Sequence, residues 1–244
     1  PAMLIWLDQA KSRPANPNEN YAREVMELFA LGEGHFTEKD VRETARALTG
    51  LTLNRETQEP EWAPRQHDPG IKTVLGRTGP LGLEDVIAHI ASQPQSARFL
   101  AGRLWRFFAQ EVPPTGVVEA LAAEFVRGQG KIRPLLERMF RAEAFYSPGV
   151  VRTQIKGPAQ WFVCAMRELE RPGSPGPWVA RTLRELGQDL LAPPNVKGWD
   201  GGVAWINTST LTRRQQLAAV LLEGRSAIIA QAGSEQGQRM RERI

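Results

Sequence analysis

The chain has 244 residues, of which 41% are hydrophobic and 24% charged, and this balance excludes the disordered and fibrous classes. Its formal net charge is +4, but arginines alternate with glutamates, as in Arg23-Glu24 and Arg42-Glu43, which is typical of solvated helix faces and argues against nucleic-acid binding. The single cysteine, Cys164, excludes an internal disulfide and a cysteine metal cluster. No apolar run reaches the length that a membrane span requires.

The first residues, from Pro1 to Asp8, contain no initiator methionine and no basic flank before their apolar stretch. A secretory signal begins with a basic region that precedes an apolar one. We therefore expect the chain to be the C-terminal part of a longer protein, with any export signal in the upstream portion.

Two helices are predicted in the first fifty residues. Pro17 can occupy the first turn of a helix over 18–31, in which Tyr21 and Val25 recur on one face and which Gly32 ends. The run 37–40, Thr-Glu-Lys-Asp, is a variant of the capping box and begins a second helix that ends at Gly50.

The helical period disappears between 51 and 82, where extended segments at 51–53, 61–62 and 72–75 predict a small hairpin. Helical patterns return afterwards and are interrupted at 171–177 by a connector rich in Pro and Gly. The predicted helices cover 83–91, 96–109, 117–127, 132–145, 158–169 and 178–190, and a last one runs from the N-cap candidates at 207–210 to about 222.

These elements predict a mainly α protein, a multi-helix globular bundle with a small irregular or β-hairpin insertion around 51–80. The sequence shows no internal repeat of fixed period. We expect one domain over 1–232, followed by a polar tail at 233–244.

His67 and Asp68 are the first candidates for chemistry, because a His beside a carboxylate in a loop can act as a base or as a metal ligand. Lys72 follows closely and could hold an anion. The structural alternative is that Asp68 forms an Asx turn into Pro69-Gly70 while His67 only packs.

The helix over 18–31 supplies a second candidate. Glu24 lies four residues after Asn20, and Glu27 four after Arg23, so carboxylates on this helix could hold a divalent cation or act as acid and base. The alternative is that these residues form surface ion pairs that only stabilise the helix.

A loop over 193–205 is the third candidate, since it is too rich in Pro and Gly for a helix and too aromatic for a solvated linker. Its glycines would let a ligand approach the backbone, and sugar rings or cations would suit its surface. In the alternative, its tryptophans pin the loop to the helical body and Gly201 and Gly202 supply positive φ angles. The candidate ligand-binding residues of this loop are Asn195, Lys197, Trp199, Asp200 and Trp205.

Three further residues have side chains that can ligate a metal or react, and we assign them structural roles. We expect His35 to lie in a turn, His89 on a helix surface and Cys164 in the core, where no activating partner is visible in the sequence. The sequence does not indicate whether the protein binds a metal or a cofactor, or which one.

Six runs spread along almost the whole chain carry a family resemblance. They are 17–32, 36–41, 45–50, His67-Asp68 with Lys72-Thr73, 104–108 and 193–199. Together they resemble the bacterial family numbered eighteen hundred among the domains of unknown function. Leu51 departs from the pattern, because the family more often places Trp there.

The resemblance implies an exported bacterial protein, located in the periplasm or outside the cell. It also implies a protein partner, since members are often encoded beside a second uncharacterised family that looks sulfatase-like or phosphatase-like. The family brings no established catalytic residues to carry over.

Two functions remain open at this point. The first is a helical binding or assembly module that acts with an exported partner through the loop over 193–205 or a helix groove. The second is a hydrolase of a phosphate, sulfate or glycan substrate, with His67, Asp68 and Glu24 as catalytic residues or metal ligands and with Arg23 or Lys72 holding an anion.

Overall fold

The mainly helical class predicted from the sequence is confirmed. The computed structural model describes residues 1–54, 56–170 and 177–223, and within these ranges it contains ten α-helices and two small antiparallel sheets. No helix in these ranges combines the length and the apolar character needed to cross a membrane.

The chain divides into two compact units, Pro1–Val151 and Arg152–Ile244, which we call the first and second unit. The single domain expected over 1–232 stays a prediction. The predicted polar tail lies outside the described residues, as does nearly all of the predicted connector over 171–177.

Seven α-helices and four strands form the described part of the first unit, with two clusters of buried apolar side chains as its core. The helices are α1 (Ala2–Trp6), α2 (Glu19–Glu24), α3 (Glu38–Ala47), α4 (Leu83–Ala91), α5 (Pro94–Phe108), α6 (Thr115–Arg127) and α7 (Ile132–Arg141). The strands are β1 (Leu51–Leu53), β2 (Pro60–Trp62), β3 (Lys72–Val74) and β4 (Arg77–Gly79).

The helix predicted over 18–31 changes type along its length. The Asn18 side chain caps α2 by accepting a hydrogen bond from the Tyr21 N–H at 3.1 Å. From Val25 to Ala30 the helix widens into a π-helix, and its last turn closes when the Leu31 N–H donates to the Met26 carbonyl, five residues back, at 2.7 Å.

Helix α3 begins as predicted, with a complete capping box. The Asp40 N–H donates to the Thr37 hydroxyl at 3.2 Å, and the Asp40 carboxylate accepts the Thr37 N–H at 2.9 Å. Its apolar side chains Val41, Ala45 and Leu48 are buried.

The predicted hairpin insertion is confirmed and consists of two hairpins. Strand β1 pairs antiparallel with β2, with Leu51 opposite Trp62, and β3 pairs antiparallel with β4, with Thr73 opposite Thr78. The segment between the two hairpins carries His67 and Asp68.

Helix α7 is shorter than predicted. The backbone turns extended at Ala142, with φ −74° and ψ 133°, and the chain then forms a 3₁₀ turn over Glu143–Tyr146. Phe145, predicted as the end of the helix, therefore packs from this turn, and its ring meets Trp105 edge-on at 5.9 Å between centroids.

The second unit contains α8 (Pro158–Glu168), α9 (Pro177–Glu185) and α10 (Thr208–Glu223), with a 3₁₀ turn at Gly202–Trp205. Helix α9 ends earlier than predicted, because Gly187 takes a φ of +94° and the Gln188 N–H returns to the Leu183 carbonyl at 2.8 Å. Cys164, expected in the core, is half-buried. The buried core of this unit comprises Phe162, Leu183, Leu186, Leu217 and Leu221.

Candidate functional site

His67 is held by contacts with the segment before β1 and with the last residue of β2. Its Nδ1 donates to the Thr49 carbonyl at 2.9 Å, and its ring lies 5.1 Å from the Trp62 ring at a tilt of 48°. Because a carbonyl can only accept, Nδ1 is the donor in this hydrogen bond. The His67 ring therefore uses one nitrogen in a hydrogen bond and also contacts the Trp62 ring.

The Asp68 carboxylate accepts several hydrogen bonds. It accepts from the Arg46 guanidinium, at 2.7 Å to Nε and 3.4 Å to Nη2, and from the Gly70 N–H at 2.8 Å. The last bond is the Asx turn that was the structural alternative for this residue. The Arg46 hydrogen bond lowers the pKa of Asp68, which makes this carboxylate a weak base.

Arg46 joins the segment after β2 to helix α3. Its Nη1 binds both oxygens of Glu43, at 3.0 and 2.9 Å, and also donates to the Ile71 carbonyl at 3.2 Å. Glu43 in turn accepts the Thr73 N–H at 3.2 Å. Sequence analysis missed Arg46 and Glu43, although their spacing of three residues on one helix face was a visible signal.

Lys72 is buried and bound to backbone carbonyls, and its role in holding an anion stays a prediction. It is 1% exposed, and its ammonium donates to the carbonyls of Asp68, at 2.5 Å, and Gly70, at 2.9 Å. Burial lowers the pKa of Lys72. The ammonium thus ties together the backbone of the turn that Asp68 begins.

Arg23 lies at the opposite end of α3 from this cluster. Its guanidinium forms a two-pronged ion pair with Glu38, with both N–O distances at 2.7 Å. Glu38 and Arg46 are eight residues apart on α3, which corresponds to about 12 Å along the helix axis. The structure therefore gathers His67, Asp68 and Lys72 and places Arg23 away from them.

Glu24 follows Arg23 and is half-buried on α2. Burial raises its pKa, and the negative charge of Glu27 raises it further. Among the described residues, no group of three or more His, Cys, Asp or Glu side chains is placed to hold a metal ion. The catalytic role of Glu24 stays a prediction.

The loop over 193–205 belongs to the second unit and is built from tight turns. Gly198, Gly201 and Gly202 have φ angles of +91°, +79° and +52°, so the positive φ predicted for Gly201 and Gly202 is confirmed. The Asn195 side-chain oxygen accepts the Gly198 N–H at 3.1 Å, and Lys197 pairs with Asp200 at 3.1 Å on the exposed surface. The polar side chains of the loop thus bind within the loop itself.

The two tryptophans of this loop are half-buried. The indole nitrogen of Trp205 lies 3.4 Å from the point where a Cβ on Gly157 would stand, so Trp205 packs on the turn before α8. This contact agrees with the structural alternative, in which the tryptophans pin the loop. Ligand binding by Asn195, Lys197, Trp199, Asp200 or Trp205 stays a prediction.

The fold and the first-unit cluster define a mainly helical protein in which His67, Asp68 and Lys72 are bound into a network with α3. The chain belongs to the family described as "Protein of unknown function (DUF1800)", whose model matches residues 1–243. The resemblance seen in the sequence is thereby confirmed. No curated protein and no solved structure matches the chain.

Proposed function

We propose that this chain is a protein-binding module that contacts its partner through an aromatic surface on the first unit. That surface is formed by Phe107, Phe108, Phe140, Phe145 and Tyr146. The observation that supports it is exposure, since Phe107 is 71% and Tyr146 63% accessible. Exposed aromatic clusters of this kind are typical of protein contact sites.

The five rings form one continuous chain of edge-to-face contacts, in which Phe145 is half-buried. Successive centroids lie 4.7 Å apart from Phe107 to Phe108, 5.2 Å on to Phe140, and 5.3 Å for each of the steps to Phe145 and Tyr146. The Tyr146 hydroxyl donates to the Phe140 carbonyl at 2.8 Å, which fixes its ring beside α7. Rings held in this way lose little conformational freedom when a partner covers them.

Charge around the aromatic surface favours an acidic partner. The segment 94–148, which supplies all five rings, contains eight basic and five acidic residues. Arg138 and Arg141 on α7 are exposed, and neither has an ion-pair partner among the described residues. We therefore expect a partner with apolar anchors surrounded by carboxylates.

A shallow depression adjoins the aromatic surface. It has a volume of about 400 Å³ and is lined by Glu143, Ala144, Tyr146, Ser147 and Pro148. A partner side chain that enters this depression would lie against the Tyr146 ring. Buried anchors of this kind contribute most of the binding free energy in many interfaces.

We propose that the partner is the sulfatase-like or phosphatase-like protein encoded beside members of the family, and that both act in the periplasm or outside the cell. This part rests on the family resemblance. We prefer binding to hydrolysis, because hydrogen bonds and ion pairs within the fold engage His67, Asp68 and Lys72.

The experiment is site-specific photocrosslinking to that partner. A photoreactive phenylalanine analogue replaces Phe107, Tyr146 or Ile71, one at a time. Ile71 is the matched control, since it is 62% exposed in the same unit but makes no ring contact with the aromatic surface.

We expect crosslinks to the partner from positions 107 and 146 and none from position 71. Equal crosslinking from all three positions, or none from any of them, would contradict the proposal. Circular dichroism of each variant checks that the fold is retained.

A further inference from the structure

A second depression on the first unit is formed by α6 and α7, and we call it the basic depression. It has a volume of about 230 Å³ and is lined by Glu124, Pro134, Glu137, Arg138 and Arg141. Four of these five side chains are charged, so a ligand that enters the depression meets charged groups rather than an apolar wall.

The two acidic side chains of the basic depression already have partners. Glu124 pairs with Arg127, and Glu137 pairs with Arg133 at 3.0 Å. Each pair joins residues three or four apart on a single helix, as is common on helix surfaces. The negative charges that line the depression are therefore compensated by arginines that do not line it.

Arg138 and Arg141 carry the positive charge of the basic depression. They lie three residues apart on α7, which places their side chains on one face of the helix. Both are exposed, and neither forms a hydrogen bond or an ion pair among the described residues. The depression thus presents two guanidinium groups whose donors are free to bind a ligand.

Carboxylates are the protein groups that match such donors. A guanidinium can bind both oxygens of one carboxylate through two parallel hydrogen bonds. On an open surface an ion pair of this kind contributes little to stability, because water screens it. A partner that covers the depression excludes water from it, which strengthens the attraction between opposite charges.

Helix α7 connects the basic depression to the aromatic surface. Phe140, whose ring belongs to that surface, directly precedes Arg141, and Glu143, which lines the depression beside Tyr146, follows two residues later. Cα atoms two residues apart are separated by at most about 7 Å, and an extended peptide advances about 3.3 Å per residue. One partner segment a few residues long can therefore reach both depressions.

We propose that an Asp or Glu side chain of the partner enters the basic depression and binds Arg138 and Arg141. The inference rests on the proposed function and adds to its general preference for an acidic partner one bound carboxylate at a defined place. This carboxylate lies within a few residues of the apolar side chain that contacts the aromatic surface. The rings provide affinity, and the two arginines select segments that carry the acidic residue.

Surface plasmon resonance of the full chain against the immobilised sulfatase-like or phosphatase-like partner tests the inference. Charges that only attract the partner from a distance act mainly on the association rate constant. An ion pair that must break before the partner leaves acts on the dissociation rate constant. The dissociation rate constant therefore distinguishes a bound carboxylate from general attraction.

Three variants isolate the basic depression. Arg138→Gln/Arg141→Gln removes both of its free charges. Arg42→Gln/Arg65→Gln is the matched control, since both arginines are exposed in the same unit and neither has an ion-pair partner among the described residues. Phe107→Ala tests the aromatic surface separately.

We expect Arg138→Gln/Arg141→Gln to raise the dissociation rate constant at least about fivefold, and the control to change it less than about twofold. Raising the NaCl concentration from about 50 to about 500 mM should raise the dissociation rate constant of the parent and leave that of Arg138→Gln/Arg141→Gln nearly unchanged. Circular dichroism checks that α7 is retained, since both arginines lie in its last turn.

The two proposals fail in different ways. If Phe107→Ala raises the dissociation rate constant while Arg138→Gln/Arg141→Gln behaves as the control does, the basic depression binds no carboxylate and the proposed function stands. An effect of Arg138→Gln/Arg141→Gln on the association rate constant alone also overturns the inference. Absence of binding by the parent overturns both proposals.

Discussion

At the residue scale, Asp68 lies at the centre of a set of contacts that hold the fold together. Its carboxylate accepts from Arg46 and from the Gly70 N–H, and its own N–H donates to the Thr49 hydroxyl at 2.8 Å. The Thr49 carbonyl also holds His67. The His-Asp pair therefore links the end of α3 to the segment before β3.

The first prediction concerns Asp68→Asn. The Arg46 hydrogen bond lowers the pKa of Asp68 below its ordinary value of 3.8, so the carboxylate stabilises the folded state above that pH. We expect the variant to lose about 1–2 kcal/mol in free energy of unfolding at pH 7. The difference from the parent should shrink as the pH falls below the ordinary value towards the lowered one.

Urea unfolding at pH 7, 5 and 3 measures this difference. Glu61→Gln serves as the control, because Glu61 is exposed and has no ion-pair partner among the described residues. A difference that is absent at pH 7, or that does not change with pH, would show that the Arg46 contact contributes nothing.

The second prediction concerns His67→Ala. The variant loses the hydrogen bond to the Thr49 carbonyl and the contact with the Trp62 ring. We expect a loss of about 1–2 kcal/mol in free energy of unfolding and a melting temperature lower by about 2–8 °C. An unchanged melting temperature in a scanning calorimeter would contradict the structural role and return His67 to the list of catalytic candidates.

At the element scale, α3 positions the second hairpin, β3–β4, through its polar face. Asp40, Glu43 and Arg46 recur every three residues: Glu43 binds β3 itself, and Asp40 and Arg46 bind the segments after and before it. Asp40 accepts the Leu75 N–H at 2.7 Å with one oxygen, while its other oxygen completes the capping box with Thr37. A helix cap and a strand contact thus depend on one side chain.

The third prediction compares Asp40→Ala with Thr37→Ala. Loss of the Thr37 hydroxyl removes a cap and should cost about 1 kcal/mol. Asp40→Ala removes the cap and also leaves the Leu75 N–H without its acceptor, so we expect about 2 kcal/mol or more.

Chemical denaturation measures the free energy of unfolding of the two variants. Amide hydrogen exchange at Leu75 reports whether its N–H keeps its acceptor. Exchange at Leu75 should accelerate in Asp40→Ala and stay near that of the parent in Thr37→Ala. Lys39→Ala, at an exposed neighbouring position, is the control. Equal losses in the two variants would show that the strand contact contributes no stability.

The sequence predicts those elements whose signals are local. Helix α4 covers 83–91 as predicted, and the capping box of α3 was visible as Thr37 and Asp40. The π-helix over Val25–Ala30 has no such signal, because the spacing of apolar residues does not record hydrogen bonds to the carbonyl five residues back. The early end of α7 has no local signal either, and the contact of the Phe145 ring with Trp105 joins residues that are distant in sequence.

At the scale of the whole molecule, candidate-site residues were predictable individually but their partners were not. Arg46 is 22 residues from Asp68, so no short window of sequence shows that the two side chains meet. The aromatic surface was missed for the same reason, since its rings come from α5, α7 and a 3₁₀ turn. Only the fold brings such distant side chains together.

The whole molecule, we propose, binds its partner through the aromatic surface. Isothermal titration calorimetry of this chain with the sulfatase-like or phosphatase-like partner tests it most directly, using the parent, Phe107→Ala and the control Ile71→Ala. We predict that Phe107→Ala weakens binding by about tenfold or more, while its free energy of unfolding stays within about 0.5 kcal/mol of the parent. Ile71→Ala should bind as the parent does. Equal affinity of Phe107→Ala and the parent, or no binding by the parent, would contradict the account.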